Sequence, residues 1–303
     1  MNSEQLWCNQ PIFSIIIPTY SRPQSIAACL QSLTGLNYPR DDFEVIVVDD
    51  GSPLDLEPVV NSYEDKLHLR LIKQANSGPA KARNAGAEVA KGRFLVFTDD
   101  DCEALPDWLN AFATGFASTP DSLLGGHTLN KLTDNLYSEA SQLLIDYLYQ
   151  YYNLETETPL FFASNNIALP REMFEKMGGF NVNFPLAAGE DREFCDRALQ
   201  LGYTLRYIPE AEIAHSHYLT LAKFWRQHFN YGRGAYFFHQ SRAKRLEGKI
   251  KVEPLTFYVK LLTYPFGHKS WLPGTLIASL FWLSQVANVA GFFQQKLTRG
   301  ESI

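Results

Sequence analysis

The chain has 303 residues, of which 46% are hydrophobic, so it can bury the core of one large domain or of two smaller ones. Its net charge of −6 and the lack of a long basic stripe exclude a nucleic-acid partner. Four widely spaced cysteines argue against a structural zinc site or a disulfide scaffold and fit a reducing compartment; they are Cys8, Cys29, Cys102 and Cys195. The first residues lack the basic and apolar regions of a signal peptide, so we expect none.

The first part of the chain alternates short, β-branched strands with helices. The predicted strands are 13–20, 43–52, 67–74 and 93–101, and the predicted helices are 23–36, 56–65, 78–92 and 106–116. Strands that are apolar throughout and alternate with helices are typical of a parallel sheet with both faces covered. Ligands bind beyond the carboxyl ends of such strands, so we expect the polar residues that follow them to form a site.

The pattern becomes less regular after residue 120. The predicted elements are a strand at 123–130, an aromatic helix at 138–153, a strand and a helix within 161–180, a helix within 189–203, and a strand, a turn and a second strand at 204–218. Beyond Leu219 the apolar residues recur at helical spacing, and the glycines of 231–235 predict a helix bend rather than a dinucleotide-binding loop.

The segment 270–295 contains no charged residue, and its length permits a membrane span. Ser279, Ser284, Gln285 and Asn288 make it less apolar than a typical span. Three interpretations therefore remain open: a helix that lies on a membrane, a true span, and a helix packed on its own domain or on a partner.

Three adjacent carboxylates, Asp99, Asp100 and Asp101, end the fourth predicted strand. Such a run is tolerated where a divalent cation neutralises it, and Mg²⁺ or Mn²⁺ binds through one or two carboxylates together with substrate phosphates. An exposed acidic turn or a helix cap is the alternative. The position of the run after a buried strand favours a site for Mn²⁺ or Mg²⁺.

Two further acidic pairs and two histidines could contribute to the same site. Asp49 and Asp50 follow the second strand; a phosphorelay receiver also has such a pair, but on its first strand and in a far smaller domain. Glu190 and Asp191 lie where a loop meets a helix, which fits either simple capping or a general base. His215 and His217 alternate on a predicted strand and are either structural or ligating, without an H-E-x-x-H motif.

Six segments, taken in order, resemble the family 2 glycosyltransferases, which are inverting sugar-nucleotide transferases with a GT-A fold. They are SIIIPTYSRP, VVDDGS, NSGPAKARNAG, FTDDDC, ASNNIALPREMFEKMGGFNVNF and GEDREFCDRALQLGY, and they run from about Phe13 to His217. The resemblance implies an α/β, Rossmann-like, mostly parallel sheet flanked by helices. It also implies a GT-A catalytic domain at 1–219, with a nucleotide-binding half at about 11–120 and an acceptor and base half at about 121–219, and a helical region at 220–303.

The resemblance also implies a role for each matching residue. The residues implied to bind the nucleotide are Pro18, Thr19, Tyr20, Asp49, Asp50, Arg83, Asp99 and Asp100. The residues implied to bind the metal are Asp101, Asp99 and His215, with His217 as the alternative to His215. Asp191 is implied to be the catalytic base, and Glu190 to assist acceptor binding. The middle residue of the acidic run, Asp100, departs from the family's usual D-x-D pattern, which leaves open which pair binds the metal. The Q-x-x-R-W motif of processive members is absent at its expected spacing, which favours addition of one sugar.

We therefore expect a glycosyltransferase that uses Mn²⁺ or Mg²⁺, takes a nucleotide-sugar donor, and glycosylates a glycan, a lipid-linked acceptor or a polysaccharide. A nucleotidyltransferase and a sugar-nucleotide-binding protein without catalysis are the alternatives. The expected location is cytoplasmic, with the cytoplasmic face of the plasma membrane as an option if 255–295 contacts lipid.

Overall fold

The computed structural model describes residues 11–184, 188–246 and 253–299, and in these residues a mixed sheet of eight strands is flanked by helices. The strands are β1 (Phe13–Thr19), β2 (Phe43–Asp49), β3 (Leu69–Lys73), β4 (Phe94–Thr98), β5 (Cys102–Ala104), β6 (Ser122–Asn130), β7 (Asn166–Pro170) and β8 (Thr204–His215). The helices are α1 (Pro23–Leu33), α2 (Glu57–Asn61), α3 (Pro79–Val89), α4 (Trp108–Ser118), α5 (Leu136–Tyr149), α6 (Arg171–Met177), α7 (Glu190–Gln200), α8 (Leu221–Leu246), α9 (Leu255–Thr263), α10 (Pro265–His268) and α11 (Trp271–Arg299). The strand order is β3-β2-β1-β4-β7-β6-β8-β5.

The first four strands in this order, β3, β2, β1 and β4, are parallel to one another, as the alternating pattern predicts. Their side chains alternate between two cores. Ile15 and Ile17 of β1 pack with α1 and α4, whereas Ile16 packs with α3 on the other face. Because both faces are covered, β1 is buried along its whole length and its carboxyl end lies beside that of β2.

The second half of the sheet is mixed, because β7 runs antiparallel to both β4 and β6, and β5 runs antiparallel to β8. The α/β fold is as expected, although the parallel character is confined to the first half and to the β6–β8 pair. The turn expected within 204–218 is instead a bulge in the continuous strand β8, where the pairing jumps from Ile208 to Glu212. Pro209 lies in this bulge, where no ladder hydrogen bond is needed.

The helix α8 packs along α11, and glycines allow their backbones to approach closely. A Cβ atom on Gly232 would collide with the backbone carbonyl of Asn288, and one on Gly291 would collide with that of Phe229. The bend expected at 231–235 falls inside the continuous helix α8. Gly232 there packs against α11, and Gly234 lies against the backbone of Ala188, two residues before Glu190.

Among the described residues, Trp271–Thr298 is the one helical stretch long and apolar enough to cross a membrane, judged by length and composition alone. Core helices of soluble proteins pass the same test, so this is weak evidence. Ile277, Leu280 and Phe281 of α11 are buried in a cluster with α5, α8 and α9. One face of the segment is therefore packed on its own chain, and the division into domains at 219 stays a prediction.

Candidate active site

The middle aspartate of the acidic run, Asp100, holds two strand ends together. Its side chain is buried, accepts a hydrogen bond of 2.7 Å from the Thr19 hydroxyl, and lies 2.9 Å from the Arg22 guanidinium. Burial raises the pKa of Asp100 to about 6, although the charge of Arg22 opposes this shift. Asp100 therefore connects the end of β1 to the turn after β4.

The last aspartate, Asp101, lies beside the histidine that ends β8. His215 Nε2 is 3.2 Å from Asp101 Oδ1, because β5 pairs with β8 and brings Cys102 opposite His215. Burial acts to raise the pKa of Asp101, but the hydrogen bond from His215 and its charge lower it to about 2. Burial alone would lower the pKa of His215. The hydrogen bond to Asp101 and the charge of Asp101 have the larger effect, so the pKa of His215 is raised.

Asp101, Cys102 and His215 form a group whose ligand atoms all lie within 4.8 Å of one another. Burial raises the pKa of the Cys102 thiol well above its usual range. Its soft sulfur also suits Mn²⁺ or Mg²⁺ less well than an oxygen ligand does. A carboxylate with an imidazole is a donor set that fits Mn²⁺, whereas Mg²⁺ prefers oxygen ligands. Asp101 and His215 therefore fit a divalent metal.

The first aspartate, Asp99, faces a buried arginine of α3. Arg83 Nη2 lies 2.6 Å from Asp99 Oδ1, and Nη1 of the same guanidinium lies 3.2 Å from Glu190 Oε1. The guanidinium also lies over the Phe180 ring, 5.6 Å from its centroid. Arg83 is 3% exposed, so it is a fixed bridge between the acidic run and the first turn of α7.

Glu190 and Asp191 begin α7 immediately after Gly189, whose φ of +86° places the turn in the region that glycine tolerates best. The positive end of the helix favours anions here. Burial and then the charge of Asp191 raise the pKa of Glu190 to about 7. Burial also raises the pKa of Asp191, so both carboxyl groups release their proton at a higher pH than usual.

The two aspartates at the carboxyl end of β2, Asp49 and Asp50, accept different hydrogen bonds. Both carboxylate oxygens of Asp50 accept hydrogen bonds, from the Gln74 amide at 2.7 Å and from the backbone nitrogens of Ser77 and Gly78 at 2.9 and 2.8 Å. Asp50 thus fixes the segment that leads into α3. Asp49 accepts from one backbone nitrogen through Oδ1.

The end of β1 presents an exposed aromatic ring next to these carboxylates. Pro18 and Thr19 are buried, whereas Tyr20 is 49% exposed. The site residues predicted from the sequence lie near the ends of the strands or at the start of α7. Arg83 connects these two regions, because it contacts both Asp99 and Glu190. Their individual roles stay predictions.

Two residues near this site were missed from the sequence. Arg22 contacts both Asp100 and Asp101. The one feature of the sequence that could have indicated this role is that Arg22 is the basic residue in the loop after β1. Tyr231 lies on α8, which passes beside the start of α7 where Gly234 packs against Ala188 and Gly189. Burial and the charges of Asp191 and Glu190 raise the pKa of Tyr231 to about 12. The sequence offers no signal that would place α8 here.

A mixed sheet with an acidic run, an acidic pair at a helix start and a carboxylate–histidine contact is the arrangement expected of a glycosyltransferase of the GT-A class. The model of the family "Glycosyl transferase family 2" matches residues 14–178, slightly more than half of the chain. The chain therefore belongs to family 2 of the glycosyltransferases. Glu190 and Asp191 lie beyond the matched residues.

Curated relatives are enzymes of the same kind. The chain is 28% identical over 200 residues to the glycosyltransferase AglE of Haloferax volcanii, covering 65% of this chain and 64% of that protein. It is 29% identical over 223 residues to the validoxylamine A glucosyltransferase of Streptomyces hygroscopicus subsp. jinggangensis, covering 64% and 51% respectively. The match to these relatives thus spans less than two thirds of their length.

Solved structures support the fold. The mannosyltransferase PcManGT from Pyrobaculum calidifontis, solved with GDP-Man and Mn²⁺, aligns with a TM-score of 0.64 at 19% identity, covering 93% of this chain and 88% of that one. Residues 1–349 of TarS from Staphylococcus aureus, solved with UDP-GlcNAc, align with a TM-score of 0.56 at 17% identity, covering 95% and 91%. At these identities the likeness establishes the GT-A fold alone.

Proposed function

We propose that the protein is a metal-dependent, inverting glycosyltransferase that moves a single sugar from a nucleotide-sugar donor, of the UDP type, to a hydroxyl group of a glycan, a lipid-linked acceptor or a polysaccharide. Family membership supports the class of reaction. The observation that carries the mechanism is the Arg83 bridge, which holds Asp99 on the donor side and Glu190 on the acceptor side in one rigid unit.

The nucleotide is proposed to bind at the ends of β1 and β2. Tyr20 is exposed and can stack on a base, because aromatic side chains stack on nucleobases readily. Asp49 is the acidic residue that we assign to the base and ribose, because both oxygens of Asp50 are already used within the chain. Pro18 and Thr19 shape the end of β1 beneath the nucleotide.

Asp101 and His215 are proposed to hold the metal ion, and Asp99 to contact the ribose or the metal beside them. When bound, a divalent ion would supply Lewis-acid stabilisation of the negative charge on the departing diphosphate. Mn²⁺ is preferred in this proposal because one of the two ligands is an imidazole. PcManGT, a structural neighbour, was solved with Mn²⁺.

Asp191 is proposed to act as the general base. It accepts the proton of the acceptor hydroxyl while the oxygen forms a bond to the anomeric carbon, and the bond from that carbon to the diphosphate breaks with its electron pair. Attack from the face opposite the leaving group inverts the anomeric centre. The described cysteines are buried and carry raised pKa values, so none of Cys29, Cys102 and Cys195 suits a covalent mechanism.

Glu190 is proposed to assist acceptor binding from the position next to the base. It is 3% exposed, and its Oε2 atom has no hydrogen-bond partner in residues 11–184, 188–246 and 253–299. A carboxyl group with a pKa near 7 can donate or accept a hydrogen bond at neutral pH. It can therefore pair with an acceptor hydroxyl that lies beside Asp191.

The exposed face of α9 to α11 is proposed to lie on the surface of an anionic membrane at the cytoplasmic side. Trp271, Trp282 and Leu297 are 79%, 60% and 80% exposed, and 255–299 contains no acidic residue. Exposed apolar side chains with nearby lysines are typical of helices at a lipid surface. Because the opposite face of α11 packs on α8, this arrangement favours surface contact over a span.

A nucleotidyltransferase is disfavoured by the loop after β1. Its basic residue, Arg22, is engaged with Asp100 and Asp101, which makes it unsuited to holding a triphosphate.

A donor screen tests the proposed function. The purified protein is incubated with Mn²⁺ and a panel of UDP-, GDP- and dTDP-sugars, and its melting temperature and the slow hydrolysis of each donor are measured. We expect stabilisation and hydrolysis with a UDP-sugar, and proton NMR should show that the released sugar has the inverted anomeric configuration. A protein that neither binds nor hydrolyses any donor, or that releases sugar with retained configuration, contradicts the proposal.

A further inference from the structure

The helix α8 carries a group of polar side chains that the proposed mechanism does not use. His228 is 0% exposed, and neither of its ring nitrogens has a hydrogen-bond partner among the described residues. Its ring packs between aromatic neighbours, with centroids 4.2 Å from Phe224 and 5.5 Å from Tyr231. Burial lowers the pKa of His228 to about 3, with His217 nearby, so the ring is neutral.

Gln227, the residue before His228, also has a buried polar atom that lacks a hydrogen-bond partner among the described residues. Its amide nitrogen donates a hydrogen bond of 2.7 Å to the Tyr231 hydroxyl, while its Oε1 atom is buried and has no partner in the part of the chain that the structure describes. Turning the amide over would exchange the roles of its two ends, and one polar atom would still be left unpaired. Adjacent positions of α8 thus hold three buried polar atoms without partners.

These side chains lie between the two halves of the active site. Gly234, three residues beyond Tyr231, lies against the backbone of Ala188 and Gly189, so α8 passes beside the start of α7, where Glu190 and Asp191 lie. His228 lies near His217, whose ring centroid is 5.1 Å from that of His215 next to Asp101. The group therefore extends from the proposed metal side to the proposed base, which is the region that the transferred sugar and the accepting sugar must share.

Buried polar atoms without partners destabilise a fold, so proteins rarely keep them unless a ligand or ordered water completes their bonds. A neutral imidazole donates from one nitrogen and accepts at the other, and an amide also does both. A sugar hydroxyl is likewise donor and acceptor. His228 contacts the rings of Phe224 and Tyr231, and the charge that acts on it is that of His217, so its ring is a poor site for a cation.

We propose that Gln227, His228 and Tyr231 form a subsite on α8 that binds sugar hydroxyl groups during transfer. The inference rests on the proposed glycosyltransferase function. The hydroxyls belong either to the sugar of the donor or to the acceptor, and the chemistry of recognition is the same for both.

The variant His228→Phe separates a ligand-binding role from a structural one. Phenylalanine has a similar shape and no polar atoms, so a purely structural position should keep its activity and its melting temperature, or gain stability. The matched control is His239→Phe, which changes a partly buried histidine on the same helix that packs on Phe238 and Phe292. For both variants the affinities for Mn²⁺, UDP and the UDP-sugar selected by the donor screen are measured by calorimetry.

If the donor sugar occupies the subsite, His228→Phe should bind UDP and Mn²⁺ normally but lose about tenfold or more of the affinity for the UDP-sugar. If the acceptor occupies it, donor binding and hydrolysis should be unchanged, and the KM for monosaccharide acceptors should rise by a similar factor. His239→Phe should match the wild type in each measurement.

Unchanged donor affinity together with unchanged acceptor KM in a folded His228→Phe protein overturns the inference, and so does a selective loss of Mn²⁺ affinity. Gln227→Leu gives the same test at a less buried position if His228→Phe does not fold. A wild-type protein that binds no nucleotide sugar refutes the proposed function instead, so the two failures are distinguishable.

Discussion

Asp99, Asp100 and Asp101 are adjacent in the chain, but their side chains serve three different parts of the site. Asp99 faces Arg83, Asp100 holds Thr19, and Asp101 faces His215. This division explains how three like charges are tolerated at the end of one buried strand: each has its own cation or donor. The structure therefore favours Asp101 over Asp100 as the metal ligand.

Replacing Asp101 with Asn is expected to weaken Mn²⁺ binding by at least about 10- to 100-fold, because it removes an anionic ligand. The same change at Asp100 should leave Mn²⁺ affinity within about threefold of the wild type. It should instead lower the free energy of unfolding by about 1–3 kcal/mol, because the buried contacts with Thr19 and Arg22 are weakened. Titration with Mn²⁺ and denaturant unfolding measure the two effects, and equal loss of Mn²⁺ affinity in both variants would refute this assignment.

The pH dependence of transfer should report the acidic pair at the start of α7. The base must be ionised, and a raised carboxyl pKa means that the ionised form is lost as the pH falls through that pKa. The acidic limb of kcat/KM is therefore expected above about 3.9, the ordinary value for aspartate.

The variant Glu190→Gln tests the origin of that limb. With a pKa of about 7, Glu190 is already protonated over the pH range in which Asp191 titrates, and glutamine is neutral as well, so the limb should stay in place. A limb that disappears or moves to much lower pH in Glu190→Gln would show that Glu190, and not Asp191, is the titrating group.

At the scale of elements, the close packing of α8 on α11 positions the helix that borders the active site. Gly232→Ala is expected to lower the free energy of unfolding by more than about 2 kcal/mol, because the new methyl group meets backbone rather than a movable side chain. The control is Gly267→Ala in α10, where a Cβ atom meets nothing within 4 Å. That change should be neutral or stabilising by up to about 1 kcal/mol, and an equal loss in both variants would contradict the packing argument.

The sequence predicted the elements whose burial is uniform and missed the features that depend on tertiary contacts. β1 and β2 are recognisable because parallel strands covered on both faces are apolar throughout. The turn expected within 204–218 is a bulge because β6 and β8 stay paired on both sides of it. The aspartates at 49–50 and 99–101 were predicted from their places at strand ends, and Glu190 and Asp191 from the start of a helix. His228 was not predicted, because its burial depends on the packing of α8.

At the scale of the whole molecule, charge is unevenly distributed. The net charge is −6, yet 255–299 holds lysines and no acidic residue, next to exposed apolar side chains on α11. The protein is expected to sediment with vesicles that contain phosphatidylglycerol, and less so as salt rises.

The double variant Trp271→Glu with Trp282→Glu should reduce vesicle binding by about tenfold or more, because both rings are exposed and carry apolar surface. Leu201→Glu at the end of α7 is the control, since Leu201 is also exposed and lies outside α9 to α11. Vesicle binding that is equal in the wild type and the double variant would contradict the proposed membrane surface.

The most direct test of the account is the activity of Asp191→Asn. Asparagine keeps the size of the side chain but cannot accept the proton, so transfer should fall by about 10²- to 10⁴-fold. Affinity for the UDP-sugar and Mn²⁺ should stay within about threefold of the wild type, because Asp49 and Asp101 are untouched. Transfer at the wild-type rate by this variant would contradict the assignment of Asp191 as the base, and with it the proposed mechanism.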